Sequence, residues 1–286
     1  MGKAPLIIIG MHRSGTTMIT KLLENLGMFM GHKKEVNSES IFFHQLNRWI
    51  MVQSNSAWDN PLPAHFKNDF HNQNINRVLE AHLRGFDRHK YLGKKKLFRY
   101  KSLKDIDFDW GWKDPANTLN IDHWKSIFPE AKVLNIYRNP IDIAESLRVR
   151  EHKVQGRFKL TVAKQIHEKI LTPRRLYNRS VRLFDIMEGI KLWEDYIEAA
   201  EIARDKYSDR WLDVKYEDFL DEPLSHLKSV TDFVGLNADI GSLKSLTSVI
   251  NNDRKFAFLQ DERLLEVYDT IRSRPLIAKL GYGGLV

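Results

Sequence analysis

The sequence predicts an α/β protein: one domain over residues 1–286, with a central, mainly parallel sheet flanked by helices and a phosphate-binding loop (P-loop) after its first strand. Three observations carry this. Leu6-Ile7-Ile8-Ile9 is an unbroken apolar run, the pattern of a strand buried on both faces of a parallel sheet. Lys132 to Tyr137 (KVLNIY) is a second such strand, and each of the two runs into a helical pattern. Strand-like and helix-like segments alternate along the rest, without a repeat or a linker that marks a domain boundary.

The first strand ends at Gly10, and a small polar loop follows. From Thr17 the apolar residues Met18, Ile19, Leu22, Leu23 and Leu26 recur at helical spacing until Gly27 supplies a stop. In a strand–loop–helix of this kind the backbone N–H groups and the helix N-terminus converge on an anion. A triphosphate-binding loop reads G-x-x-x-x-G-K-[ST], with the lysine on the β/γ-phosphates and the hydroxyl on Mg²⁺. Here Gly10, Gly15 and Thr17 hold their places, but the lysine position is Thr16 and the cation stands inside the loop, at Arg13.

Downstream, Ile41, Phe42, Leu46, Trp49 and Ile50 make an amphipathic helix entered from a polar cap around Asn37–Ser40. Pro61 and Pro63 interrupt regular structure, and helical periodicity returns between Phe66 and Asp87. Lys90 to Lys104 reads as a basic, solvated loop around a short strand, Leu97–Tyr100. Lys113 ends a further short strand. After Lys132–Tyr137, Asn139 caps and Pro140 opens the next helix. Glu151 to Ser180 is basic and weakly patterned, the place expected for a mobile lid on the acceptor side. A long helix is expected over Val181–Tyr207, a strand over Trp211–Tyr216, and a helix from Pro223 to a stop at Gly235; the tail from Asn252 is mixed and charged.

Composition narrows the function. With 42% hydrophobic residues, 286 residues suffice for a sizeable core, and no apolar run approaches a membrane span of about 20 residues. Leu6–Ile9 is too short for a signal-peptide core, and Leu6 stands where a myristoylation signal needs Ser or Thr. The chain has no cysteine, hence no disulfide, thiol redox or thiolate–metal chemistry, and a cytoplasmic enzyme is expected. A net charge of +8 suits a polyanionic ligand. Asp105, Asp107 and Asp109 alternate like metal-binding carboxylates, but Trp110 and Ala116 fill positions where a calcium loop needs a turn residue and a bidentate Glu. There is no H-E-x-x-H and the histidines are scattered, so no metal site is expected.

Two positions weigh against a nucleotide kinase. The loop lysine is absent, and the second strand ends in Arg138, which offers five donors to an oxyanion, where a P-loop phosphotransferase keeps an Asp for Mg²⁺. Instead, Arg13-Ser14-Gly15-Thr16-Thr17 resembles the 5′-phosphosulfate loop of bacterial-type sulfotransferases that use 3′-phosphoadenosine 5′-phosphosulfate (PAPS), in which Lys or Arg precedes S-G-T-T. Arg138-Asn-Pro with Ser146 resembles the family's 3′-phosphate-binding segment, and Val214-Lys-Tyr-Glu-Asp-Phe is similar to a third segment whose tyrosine lies near adenine.

The resemblance implies a donor site built from His12, Arg13, Ser14, Gly15, Thr16, Thr17, Arg138, Ser146 and Tyr216, releasing 3′-phosphoadenosine 5′-phosphate (PAP). It implies metal-independent transfer of a sulfuryl group to a hydroxyl or amine of a carbohydrate, small molecule or peptide, with Arg13 stabilising charge on the bridging oxygen. Lys113 resembles a second family cation. Where members often carry a His two residues later, this chain has Pro115; others place a Glu after the first helix, and that stretch offers His44 and Glu39. His44 suits proton removal near neutrality and is placed first as general base, ahead of Glu39 and Asp114. The alternatives are a P-loop nucleotide kinase and a basic nucleic-acid-binding protein; nucleic acid is not expected as a partner, and the oligomeric state is not legible.

Overall fold

Four apolar residues in a row leave no polar face, and Leu6–Ile9 (β1) forms an inner strand with every residue buried. The computed structural model describes residues 2–61, 68–156 and 180–286. In it, β1 pairs in parallel with Gly111–Lys113 (β2) on one side and Lys132–Tyr137 (β3) on the other, and Trp211–Lys215 (β4) pairs in parallel with β3. The order β2-β1-β3-β4 is the parallel α/β sheet expected. The chain leaves β1 for one flank and returns on the other, so the carboxyl ends of β1 and β3 frame a switch point, where open α/β sheets bind ligands.

Alternation along the strands sends side chains to two cores. Ile7, Ile9 and Val133 join one with Ile41–Gln53 (α2), Asp69–Arg84 (α3) and Asn117–Ile127 (α5), where Phe43 stacks on Trp112 with ring centres 3.8 Å apart. Leu6, Ile8, Leu134 and Ile136 join the other with Thr16–Asn25 (α1), Tyr216–Asp221 (α8), Pro223–Val234 (α9) and Ile240–Thr247 (α10). Fully burying one such side chain contributes about 1.5–3 kcal/mol, so these two layers fix the strand ends on which the loops depend.

The chain divides into two compact units. Residues up to Asn139 together with Glu194–Ala257 hold the sheet. The described part of Pro140–Trp193 together with Phe258–Val286 forms the second. In that second unit Pro140–Gly156 (α6) is joined by the first half of Ile186–Lys206 (α7), by Glu262–Ile271 (α11) and by Pro275–Lys279 (α12). There Asp142 accepts the Phe258 N–H at 3.0 Å, and Trp193 meets Tyr282 edge-on at 6.4 Å.

Several sequence expectations change. Leu97–Tyr100 is no strand: His89–Leu97 is helical (α4), because Tyr91, Leu92 and Leu97 turn inward while Lys94, Lys95 and Lys96 face solvent. Tyr91 anchors it by donating to the Gly111 carbonyl at 2.6 Å. The helix expected from Val181 begins at Ile186, after a 3-10 turn over Arg182–Phe184. Tyr216 opens α8 rather than ending β4, and the tail beyond Asn252 contains α11 and α12. The three alternating aspartates go to separate partners: Asp105 to a capping box with Ser102, Asp107 to Arg99 and Tyr100, and Asp109 to Lys3. Of the segment read as a lid, residues 151–156 continue α6, and 157–179 lie outside the described residues. Among the described residues no helix is long and apolar enough to cross a membrane.

Candidate active site

The loop between β1 and α1 is held by backbone geometry that ordinary residues resist. Gly10 has φ of 128°, and a Cβ there would lie 2.2 Å from the Ile136 carbonyl oxygen. Gly15 has φ of 99°, with the Tyr216 ring 2.4 Å from where its Cβ would be. Between them Arg13 adopts φ of 73°, a left-handed conformation that costs on the order of 1–3 kcal/mol in a residue with a side chain and is characteristic of ligand loops. The Gly10 N–H donates to Thr118 Oγ1 at 3.0 Å, which fixes the loop to α5. The N–H groups of Thr16 and Thr17 open α1, where helix geometry provides no partner within the helix. Ser14 is fully buried, and its hydroxyl has no hydrogen-bond partner among the described residues. An oriented buried hydroxyl beside helix N–H groups and an arginine fits an oxyanion.

Arg138 directly follows β3, the strand beside β1. It is 7% exposed, stacked over the Tyr216 ring at 4.7 Å, and donates to the carbonyls of Arg13 at 3.5 Å and Arg254 at 2.6 Å. Burial, and then the neighbouring Arg254 and Arg138, hold the Arg13 guanidinium below its ordinary pKa. Three guanidiniums therefore gather at one loop, an arrangement that favours an anion among them. Tyr216 acts from beneath: one contact supports Gly15, another supports Arg138. Its neighbour Glu217 accepts the Asn139 N–H at 2.8 Å and braces the same turn.

Lys113, at the end of β2, is 1% exposed. Its ammonium donates to Glu39 Oε1 at 2.6 Å, to the Asn37 carbonyl and to Thr17 Oγ1 at 3.4 Å. Thr17 in turn donates to the same Asn37 carbonyl at 3.0 Å. Burial pulls the Lys113 pKa down, and the Glu39 carboxylate opposes that pull. All three ammonium protons thus have protein acceptors, and positive charge stands next to the hydroxyl that holds Mg²⁺ in nucleotide triphosphatases.

Asp114 follows directly. Its Oδ2 lies 3.0 Å from His44 Nδ1 and its Oδ1 accepts the Ala116 N–H at 2.9 Å. The hydrogen bond to Asp114 holds His44 above its ordinary 6.5, assisted by the charges of Asp114 and Glu39 and opposed by burial and Arg48. Burial pushes the Asp114 carboxyl up, but the His44 hydrogen bond and charge, with Ala116 and Asn47, keep it below its ordinary 3.8. The sign follows. A raised His44 stabilises the fold fully below pH 6.5 and loses that contribution as pH rises through the raised value. The lowered Asp114 contributes above pH 3.8 and is lost as pH falls through its depressed value. Urea unfolding at a series of pH values is expected to show the alkaline-side loss in the wild type and a flatter profile in Asp114→Asn.

The structure brings together Arg13, Ser14, Gly15, Thr16, Arg138 and Tyr216 at the loop, Thr17 with Lys113 and Glu39, and His44 with Asp114. His12 meets Trp58 edge-on at 4.7 Å, and Tyr196 holds the Trp58 carbonyl at 2.9 Å. Ser146 lies half-buried on α6, in the second unit. Arg254 is the neighbour that sequence reasoning passed over; its only signal is a basic pair, Arg254-Lys255, in a tail without periodicity.

A family model described as "Sulfotransferase family" matches residues 5–239. Comparison with curated proteins found no match. Among solved structures the chain is similar to a sulfotransferase from Mycobacterium avium, at 15% identity over 94% of this chain and 77% of that one, with a TM-score of 0.44. It is similar to the sulfotransferase domain of the Synechococcus PCC 7002 olefin synthase, at 20% identity over 94% and 89%, with a TM-score of 0.44. A sulfotransferase from Alicyclobacillus acidocaldarius shows 14% identity over 87% of this chain and 97% of that one, with a TM-score of 0.45. The family match runs from the first strand through the loop, β3 and β4. The chain belongs to the sulfotransferase family.

Proposed function

We propose that the chain acts as one sulfotransferase domain that takes PAPS as donor, releases PAP, and transfers the sulfuryl group without a metal to a hydroxyl or amine acceptor. A carbohydrate, small molecule or peptide acceptor and a cytoplasmic location belong to the same reading. The observation that carries it is the gathering of Arg13, Arg138 and Arg254 at a phosphate loop whose buried Ser14 hydroxyl lacks a partner among the described residues. The donor supplies an activated sulfuryl group on a phosphate leaving group. His12, Ser14, Gly15, Thr16 and Thr17 hold its 5′-phosphate through the loop and helix N–H groups. Arg138 and Ser146 take the 3′-phosphate, and Tyr216 lies on the adenosine side. Arg13 neutralises charge growing on the oxygen that bridges sulfur and phosphorus, a type of contact whose loss lowers rates about 10²–10³-fold. Lys113 adds positive charge one hydroxyl removed, through Thr17.

Among the candidate bases, Glu39 is engaged by the Lys113 ammonium, whereas His44 is 31% exposed and is held above its ordinary pKa by its hydrogen bond to Asp114. His44 is therefore assigned proton removal from the acceptor. Mg²⁺ on Thr17 would stand beside the Lys113 ammonium, which disfavours the kinase alternative.

Thermal unfolding with three ligands separates the readings. PAP at 100-fold above Kd is expected to add about 2.7 kcal/mol of stability, with ATP–Mg²⁺ and an oligonucleotide giving no comparable shift. An equal response to ATP–Mg²⁺ would favour a kinase. A salt-sensitive response to oligonucleotide that survives Arg13→Ala would favour nucleic-acid binding.

A further inference from the structure

Asp114 is a carboxylate buried to 1% exposure behind the imidazole, and the transfer described above gives it no task. It sits where β2 turns into α5, while His44 lies in the first turn of α2. A buried amide lattice locks those elements together. Asn47 Nδ2 donates to Asn117 Oδ1 at 2.8 Å, Asn117 Nδ2 to the Ile8 carbonyl at 3.1 Å, and Asn120 Nδ2 to Asn47 Oδ1 at 3.1 Å. The indoles of Trp112 and Trp124 donate to the same amide oxygens, at 3.0 and 2.8 Å. Neither partner of the 3.0 Å contact between Asp114 and His44 therefore rests on a freely moving element.

We propose that Asp114 is a positioning residue: it keeps the proton of His44 on Nδ1 and so presents Nε2 as the atom that takes the acceptor's proton. The inference rests on the sulfotransferase reading and goes beyond it by naming the acting nitrogen and what selects it. An ionised carboxylate only accepts, so the ring nitrogen facing it must carry hydrogen, which leaves the neutral imidazole's lone pair on Nε2. The acceptor O–H or N–H gives its proton to Nε2. Its oxygen or nitrogen forms the new bond to sulfur as the bond from sulfur to the bridging oxygen breaks, and that electron pair stays on the phosphate of PAP. The imidazolium left behind faces Asp114, with Glu39 adding to its stabilisation and Arg48 opposing it. Asp114 itself is a poor proton acceptor, being buried and held in the ionised form by His44, Ala116 and Asn47.

Nitrogen-15 NMR of the histidine side chains in the full chain tests this without an acceptor, with His44→Gln identifying the signal. The wild type is expected to show the Nδ1–H tautomer of His44 and a titration above 6.5. Asp114→Asn is expected to move that titration down and remove the tautomer preference, Asp114→Glu to restore part of both, and Glu39→Gln to change the titration but not the tautomer. An Nε2–H tautomer in the wild type, or an Asp114→Asn spectrum that titrates as the wild type does, would overturn the inference. The wild-type spectrum decides alone if Asp114→Asn does not fold. PAP-induced thermal shifts on the same samples keep the two failures apart: a wild type that ignores PAP sinks the donor reading, whatever the imidazole does.

Discussion

Arg138→Ala is expected to abolish the thermal stabilisation given by PAP. Arg138 is fixed from three sides, by the Tyr216 ring at 4.7 Å and by the carbonyls of Arg13 and Arg254. It is thereby pre-oriented, and a guanidinium held in place loses little side-chain freedom on meeting a phosphate. Two hydrogen bonds from a charged donor contribute about 1.5–3 kcal/mol each. Their loss equals or exceeds the roughly 2.7 kcal/mol that a ligand at 100-fold above its Kd supplies, so the shift disappears. Arg138→Lys keeps the charge but not the fork, and an intermediate shift is expected. A full PAP shift in Arg138→Ala would remove this residue from the donor site.

Lys113→Met is expected to cost about 3–5 kcal/mol of folding stability, the range for leaving one partner of a buried ion pair uncompensated. The pair is short, 2.6 Å, and both side chains are shielded, at 1% and 7% exposure. Removing the ammonium strands the Glu39 carboxylate, leaves the Asn37 carbonyl with the Thr17 hydroxyl as donor, and loosens Thr17 at the start of α1. The double variant Lys113→Met with Glu39→Gln is expected to recover part of the loss, because it removes the stranded charge. Urea unfolding of the wild type, Lys113→Met, Glu39→Gln and the double variant reads the coupling. A loss below about 1 kcal/mol in the single variant, the scale of an exposed pair, would contradict the buried strut.

Much of the sheet was legible because β1 and the middle of β3 are buried on both faces, and such burial writes itself as apolar runs, interrupted in β3 by Asn135, which finds Asp213 on β4. The loop between β1 and α1 was legible for a related reason: Gly10 and Gly15 stand where a Cβ would strike Ile136 and Tyr216. What was hidden depends on partners far away in sequence. Lys113 looks like any surface lysine until Glu39 and Asn37 are folded over it. Arg254 acquires meaning only when folding brings it to Arg138, 116 residues away, and near Arg13. Tyr216 continues the strand pattern of β4, yet the turn into α8 places its ring under Gly15 and Arg138. The basic run Lys94–Lys96 concealed a helix because its inward residues, Tyr91, Leu92 and Leu97, are too few to set a period.

The claim on which the rest depends is that this loop and Arg138 hold the two phosphates of one adenosine donor. A crystal structure with PAP bound in metal-free buffer tests it most directly. The expected density places the 5′-phosphate against the Thr16 and Thr17 N–H groups and the Ser14 hydroxyl, with the 3′-phosphate on the Arg138 guanidinium. PAP bound away from the loop, or a phosphate held at Thr17 only when Mg²⁺ is added, would contradict it.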